Sequence, residues 1–269
     1  MQNPASTRRL FRPAVLIVAA LALMLSACNR EEVDDTIPAE QLYEEAHASL
    51  QAKAWRQAIA RYKQLTTRYP FGRHAEQAQL DMAYAQYKAG DSEQALTSLD
   101  RFIRTYPTHP NVDYAWYLKG LVNYDQSMGF LRKLFPGQVV DRDQTSARQA
   151  FMEFQELIRR FPESRYVADA RQRMVFLRNI MAEQDIVIGE YYFRRGAYIA
   201  AIHRAEHVIE NYPQAPANID ALDLMARAYD KLELEQLAAD TRQVLEHNYG
   251  DVDRTEEKPS LWRRLWPFD

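Results

Sequence analysis

The sequence predicts an all-α protein built as a solenoid of helix–turn–helix repeats. Three observations carry this expectation. Glycine is scarce, 8 among 269 residues, and long stretches are rich in Ala, Glu, Gln and Arg, which favours helix. Aromatic–proline pairs punctuate the chain at Tyr69-Pro70, Tyr106-Pro107, Phe161-Pro162 and Tyr212-Pro213, and Tyr249-Gly250 has the same form. Each closes a helix, because proline cannot continue one and restrains the residue before it, while glycine suits the position just past a helix end. Finally, an alanine lies twelve residues before the proline or glycine of each stop, at Ala58, Ala95, Ala150, Ala201 and Ala238.

The N-terminus comes first. Arg8, Arg9 and Arg12 precede an apolar run from Pro13 to Leu25. That run has the length of a signal-peptide core and is short for a membrane-spanning helix, which needs about 20 residues. Ser26 and Ala27 then lead to Cys28, the only cysteine. A lone thiol excludes an internal disulfide framework. "LSAC", Leu25 to Cys28, resembles a bacterial lipobox. The resemblance implies cleavage after residue 27, diacylation of the Cys28 thiol, and an α-amino group open to a further acyl chain such as palmitate. One acyl chain holds weakly, at about 0.8 kcal/mol per buried CH₂, whereas two or three hold stably. By resemblance to sorted lipoproteins, Asn29 in place of Asp is compatible with export to the outer membrane. Residues 28–38 read as a charged, lipidated tether. Losing the three leader arginines moves the net charge from −3 to −6, which does not suit a nucleic-acid binder.

The repeats follow by arithmetic. The aromatic residues of the stops at 69 and 106 are 37 residues apart, as are those at 212 and 249. From 106 to 161 the spacing is eighteen longer, and from 161 to 212 fourteen longer. A second small residue lies twelve before most of the alanines, at Ala46, Ala83, Gly189 and Ala226. In the third unit it is Gly120, thirty before Ala150, which repeats the insertion of eighteen. The units resemble tetratricopeptide repeats, whose period is about 34 residues. Five are expected, at 39–72, 75–109, 112–163, 164–214 and 217–250, giving about ten helices. Repeats one to three would form an N-terminal part, 39–163, and repeats four and five a C-terminal part, 164–250.

The two insertions differ in kind. Residues 164–195 contain no proline, and Val167, Ala170, Met174, Leu177, Met181, Ile188 and Tyr191 keep a helical period. One long helix is expected there, its first half projecting as a brace. The other insertion is read as a loop over 127–143, apolar at Phe130, Leu131, Leu134, Phe135, Val139 and Val140. So apolar a loop is expected to dock, on its own solenoid or on a partner. Beyond 250, a tail with Trp262, Leu265, Trp266 and Phe268 beside Arg263 and Arg264 suits a membrane interface or a partner, or is a flexible end.

Only one stretch resembles a catalytic motif. "HRAEH", His203 to His207, fits the inverted zincin pattern H-x-x-E-H. Ala201, Ile202, Ala205, Val208 and Ile209 already account for that helix as a packing element, and the motif lacks its structural context. No nucleophile elbow, phosphate-binding loop or dinucleotide turn is present, so no enzymatic activity, metal or cofactor is expected beyond the covalent lipid on Cys28.

Repeat solenoids present a groove lined by the first helix of each unit. The resemblance to tetratricopeptide repeats places Tyr43, His47 and Leu50 there from unit one. Unit two offers Leu80, Tyr84, Tyr87 and Lys88, and unit three Tyr114, Tyr117, Leu121, Tyr124 and Asp125. Units four and five contribute Glu183, Glu190, Arg194, Asp220, Asp223, Arg227, Asp230 and Lys231 instead. The groove is expected to be aromatic at its N-terminal end and charged at the other. Tyrosines supply contact area at low entropy cost and a hydroxyl for backbone groups.

Longer strings narrow the reading. "RYPFG" (68–72), "QLDMAYAQYK" (79–88), "DRFIRTYPTHPNVDY" (100–114), "DRDQTSARQAF" (141–151) and "EYYFRRGAYIAAIHR" (190–204) resemble the BamD (ComL) lipoprotein family of the β-barrel assembly machinery. The resemblance implies a lipid-anchored protein on the periplasmic face of the outer membrane. Its C-terminal repeats would bind the periplasmic domains of BamA, alongside other Bam lipoproteins. Its N-terminal repeats would receive the C-terminal targeting signal of unfolded outer-membrane β-barrel proteins. Arg195 and Arg204 occupy positions that the family places near the BamA contact. Asp141, Arg142 and Asp143 would anchor the loop or touch a partner. A pilotin-like lipoprotein for a secretin or pilus system is the alternative with the same anchor.

Overall fold

The computed structural model describes residues 37–134 and 144–250. Among these there are ten α-helices and no strand. They are α1 (Ala39–Gln51), α2 (Trp55–Arg68), α3 (Arg73–Ala89), α4 (Ser92–Thr105), α5 (Val112–Leu134), α6 (Thr145–Arg160), α7 (Val167–Arg194), α8 (Tyr198–Asn211), α9 (Asn218–Lys231) and α10 (Glu235–Tyr249). Each helix packs on the next in sequence, and α1·α3, α3·α5 and α7·α9 also touch. That is the stacking of a solenoid, in which each repeat contacts its neighbours. Cys28, the loop residues Asp141, Arg142 and Asp143, and the tail from 251 lie outside the described residues.

The stops act as expected. Helices α2, α4, α6 and α8 end just before Tyr69, Tyr106, Phe161 and Tyr212, and the N–H of each of these residues donates to the carbonyl four back. All five repeat alanines are completely buried, because any larger side chain would hold the paired helices apart. Gly120 shows how close that approach is. A Cβ there would lie 2.4 Å from Phe154 Cε1.

The turn within a repeat follows one design that the sequence reading did not anticipate. Lys53, Gly90, Gly196 and Glu233 each stand seventeen residues before a stop, and all have positive φ, between 58° and 86°. In every case the following N–H donates to the carbonyl five residues back, as in Ala54 to Ser49 and Leu234 to Tyr229. This closes the helix as a Schellman motif. Two of the four positions carry side chains where glycine is the relaxed choice.

Two expectations about the insertions are corrected. The long helix is present as α7, 28 residues, but its first half does not project. Val167, Ala170 and Leu177 are buried, because α7 packs along α6 before it pairs with α8. The expected loop also begins later than residue 127, since α5 runs through Leu134. Ser127 is buried and its Oγ donates to the Tyr124 carbonyl at 2.6 Å, which satisfies the hydroxyl inside the helix. A glycine such as Gly129 costs a helix only about 1 kcal/mol.

One buried charge cluster ties unit two to unit three. Glu153 on α6 accepts from Asn123 Nδ2 (2.8 Å), Gln149 Nε2 (3.2 Å) and Lys119 Nζ (3.2 Å), and Lys119 also reaches Asp100 at 2.7 Å. Burial pushes the Glu153 carboxyl above its ordinary value, against the pull of Asn123 and Lys119.

Candidate functional site

The first helices of units one to three, α1, α3 and α5, carry the tyrosines. The hydroxyls of Tyr43, Tyr87 and Tyr117 are engaged across the repeats. Tyr43 donates to Asp81 Oδ2 at 2.8 Å, Tyr87 to Asp125, and Tyr117 to Asp169 Oδ2 at 2.7 Å. The sequence separations are 38, 38 and 52, so the third is the same step lengthened by fourteen. Each bond therefore joins one first helix to that of the next unit. At the following step the chemistry changes, and Arg227 on α9 pairs with Glu190 on α7, 37 residues away. The row is aromatic at one end and charged at the other, because tyrosine–aspartate rungs give way to an arginine–glutamate rung.

The Asp81 and Asp169 rungs are buttressed. Asp81 also accepts from Tyr62 (3.3 Å) and Gln77 (2.8 Å). Burial raises its pKa, while these hydrogen bonds and nearby His47 oppose the shift. Burial and then Asp81 push the Tyr43 hydroxyl pKa up, and burial pushes Tyr87 up with help from Asp125. The Tyr117 hydroxyl is pushed up to about 12 by burial and by Asp169. Burial alone would raise Asp169, but hydrogen bonds from Arg173 (2.5 Å) and Tyr117 outweigh it and hold the carboxyl below its ordinary value. These hydroxyls are protonated donors at neutral pH, and what they leave for a ligand is ring surface.

The rings form three groups. Tyr84 meets Trp55 edge-on at 6.2 Å and Tyr87 at 6.4 Å, with the Lys88 ammonium 5.9 and 5.2 Å from their centroids. A shallow cleft of about 400 Å³ opens beside them, lined by Ala54, Trp55, Arg56, Gln57, Lys88 and Ala89. In the second group Tyr166 stacks on Tyr117 at 4.6 Å and meets Tyr114 at 5.4 Å. Tyr43 stacks on His47 at 5.8 Å.

Not every expected groove residue faces outward. Leu80 is completely buried in the core of units two and three, among Leu99, Phe102 and Leu118, so it offers a ligand nothing. Tyr124 is nearly buried, its ring covered by Phe176 at 6.0 Å and the Arg173 guanidinium at 4.7 Å. Leu121 is half-buried between the two cores. Trp55, Asp81, Tyr166 and Asp169 were missed. The repeat spacing of 38 from Tyr43 would have found Asp81.

In the C-terminal part, Arg195 ends α7 exposed, with its guanidinium 5.6 Å from the Tyr191 ring. Arg204 is different. Its Nη1 lies 3.0 Å from Asp185 Oδ1, on a carboxylate whose side chain is 4% exposed, and His207 Nδ1 lies 3.1 Å from the other oxygen. His203 pairs instead with Glu206 at 3.1 Å. Among the described residues no three His, Cys, Asp or Glu side chains are disposed to hold a metal, and no helix is long and apolar enough to cross a membrane.

A family model described as an outer membrane lipoprotein (YfiO) matches residues 35–245. The outer membrane protein assembly factor BamD of Xylella fastidiosa is 40% identical over 96% of this chain and 92% of its own. This chain belongs to the BamD family. The BamD of Neisseria meningitidis is likewise 40% identical, over 94% of this chain and 98% of that one. Among solved structures, the TPR2AB-domain:pHSP90-complex of yeast Sti1 aligns over 78% of this chain and 76% of that chain, with a TM-score of 0.44 and 14% identity. These relatives are outer membrane protein assembly factors by name.

Proposed function

We propose that this protein is the lipid-anchored scaffold and substrate receptor of a β-barrel assembly machinery, tethered through Cys28 to the periplasmic face of the outer membrane. Its N-terminal repeats take the C-terminal targeting segment of unfolded outer-membrane proteins. Its C-terminal repeats hold the periplasmic domains of BamA, with Arg195 and Arg204 at that contact. The row of tyrosines pinned by aspartates across α1, α3 and α5 carries the reading. Side chains already fixed by hydrogen bonds lose little further freedom when a peptide docks, so their contact area converts to affinity with a small entropic penalty. Lys88, beside Tyr84 and Tyr87, adds a cation suited to the free carboxylate at such a segment's end. A pilotin-like role is not favoured, since the relatives are assembly factors.

A benzoylphenylalanine at position 84 is expected to crosslink to a peptide carrying a barrel C-terminal signal. Labelling that occurs only from probes in the last two repeats rejects the assignment. For the BamA contact Arg195→Glu is the cleaner variant, because Arg204→Glu would also set a second carboxylate against buried Asp185. Undiminished capture of the BamA periplasmic domains by Arg195→Glu would remove Arg195 from the interface.

A further inference from the structure

The outer face of α10 breaks the pattern of every earlier repeat. Leu237 is 45% exposed and Val244 47% exposed. At the position of Leu237, units one to three carry Gln57, Gln94 and Gln149, and unit four Ala200. At the position of Val244 they carry Gln64, Arg101, Glu156 and His207. Leu234, 42% exposed, stands where the others have Ala54, Asp91, Ser146 and Ala197. Only the last unit places three large aliphatic residues at these surface positions.

This patch is not an unfinished stacking face. The residue eight before each stop is Tyr62, Leu99, Phe154 and Ala205 in units one to four, all completely buried. In unit five it is Arg242, exposed and paired with Asp230. The stack is thus capped by a polar side chain, as a terminal repeat requires. Leu237 and Val244 lie on the other flank of the buried row Ala238, Thr241 and Leu245, with Asp240 between them at helical spacing. Three exposed large aliphatics at positions that carry a polar residue or alanine in every other unit mark a covered surface.

We propose that residues 251–269 of this chain cover it. They follow directly on Gly250, whose φ of 72° lets the chain leave α10 at an angle closed to other residues. The segment carries two apolar pairs, Leu261-Trp262 and Leu265-Trp266, with Arg263 and Arg264 between them in the sequence. Those arginines complement Asp240 and the neighbouring Glu233, both exposed. Reach is sufficient. Leu237 is about 20 Å back along α10 from Gly250 at 1.5 Å per residue, and residues 251–260 can extend roughly 30 Å.

The test uses the full, lipid-anchored chain in native membranes with a benzoylphenylalanine at position 237. An intrachain crosslink to the peptide holding Trp262 and Trp266 is expected. It should be lost in Arg263→Glu/Arg264→Glu and recovered when Asp240→Arg is added. The same probe at position 152, an exposed apolar site on α6, should give no such product. Crosslinking at 237 only to another polypeptide, to a second copy of this chain or to lipid overturns the proposal. So does equal intrachain yield from position 152, or no product at 237.

Discussion

A single methyl group at position 120 probes how tightly α5 and α6 are joined. In Gly120→Ala the new Cβ would stand 2.4, 2.6 and 2.9 Å from Cε1, Cδ1 and Cζ of Phe154. Carbon atoms rest about 3.5–4.0 Å apart, so the ring must retreat by more than about 1 Å. It has nowhere to go, because Phe154 is completely buried with Tyr117 packed 6.1 Å away. Alanine gains about 1 kcal/mol of helix propensity over glycine. Overpacking a close-packed core costs about 1–3 kcal/mol, and three ring atoms in conflict set this site at the upper end. The net loss is then about 1–2 kcal/mol, or a fall in Tm of about 2–8 °C for a chain of this size. Urea unfolding followed by far-UV circular dichroism, with calorimetry beside it, measures both. Phe154→Leu in the Gly120→Ala background should recover part of the loss, with a coupling of about 0.5 kcal/mol or more. An alanine variant as stable as the parent, or strict additivity in the double variant, would refute the close-approach argument.

Three further outcomes are expected. Glu153→Ala leaves the buried Asn123 amide without its acceptor and Lys119 with Asp100 alone, and should cost about 1–3 kcal/mol in the same denaturation assay, whereas Glu153→Gln should cost less. Lys53→Gly relieves a side chain held at φ 58° and should stabilise by about 0.5–1 kcal/mol, while Lys53→Ala should not. Asp81 has a folded pKa above its ordinary value of 3.8, so between those two values the folded state holds more protons than the unfolded one. Stability from this group therefore falls as pH rises through that window, and Asp81→Asn should flatten the slope of urea midpoint against pH there. An unchanged slope would remove Asp81 from that role.

Much of this architecture could be read before any coordinates. Proline and glycine stop helices through local sterics, and a small residue is needed wherever two helix backbones meet. The stops, the repeat period and the buried alanines were therefore legible one residue at a time. The tyrosine row was legible for a related reason, since a repeated helix presents the same face at each step.

What each side chain meets across the stack was decided only by tertiary structure. Tyr43 finds Asp81, and Tyr117 finds Asp169 at a separation stretched by fourteen residues, because helix stacking sets those distances. Leu80 turned inward, α5 continued past residue 129, and the first half of α7 lay down on α6. A single-helix pattern says which side is apolar, but not which neighbouring helix will claim it. That choice depends on how far each repeat rotates against the last, and only the packed chain sets that rotation.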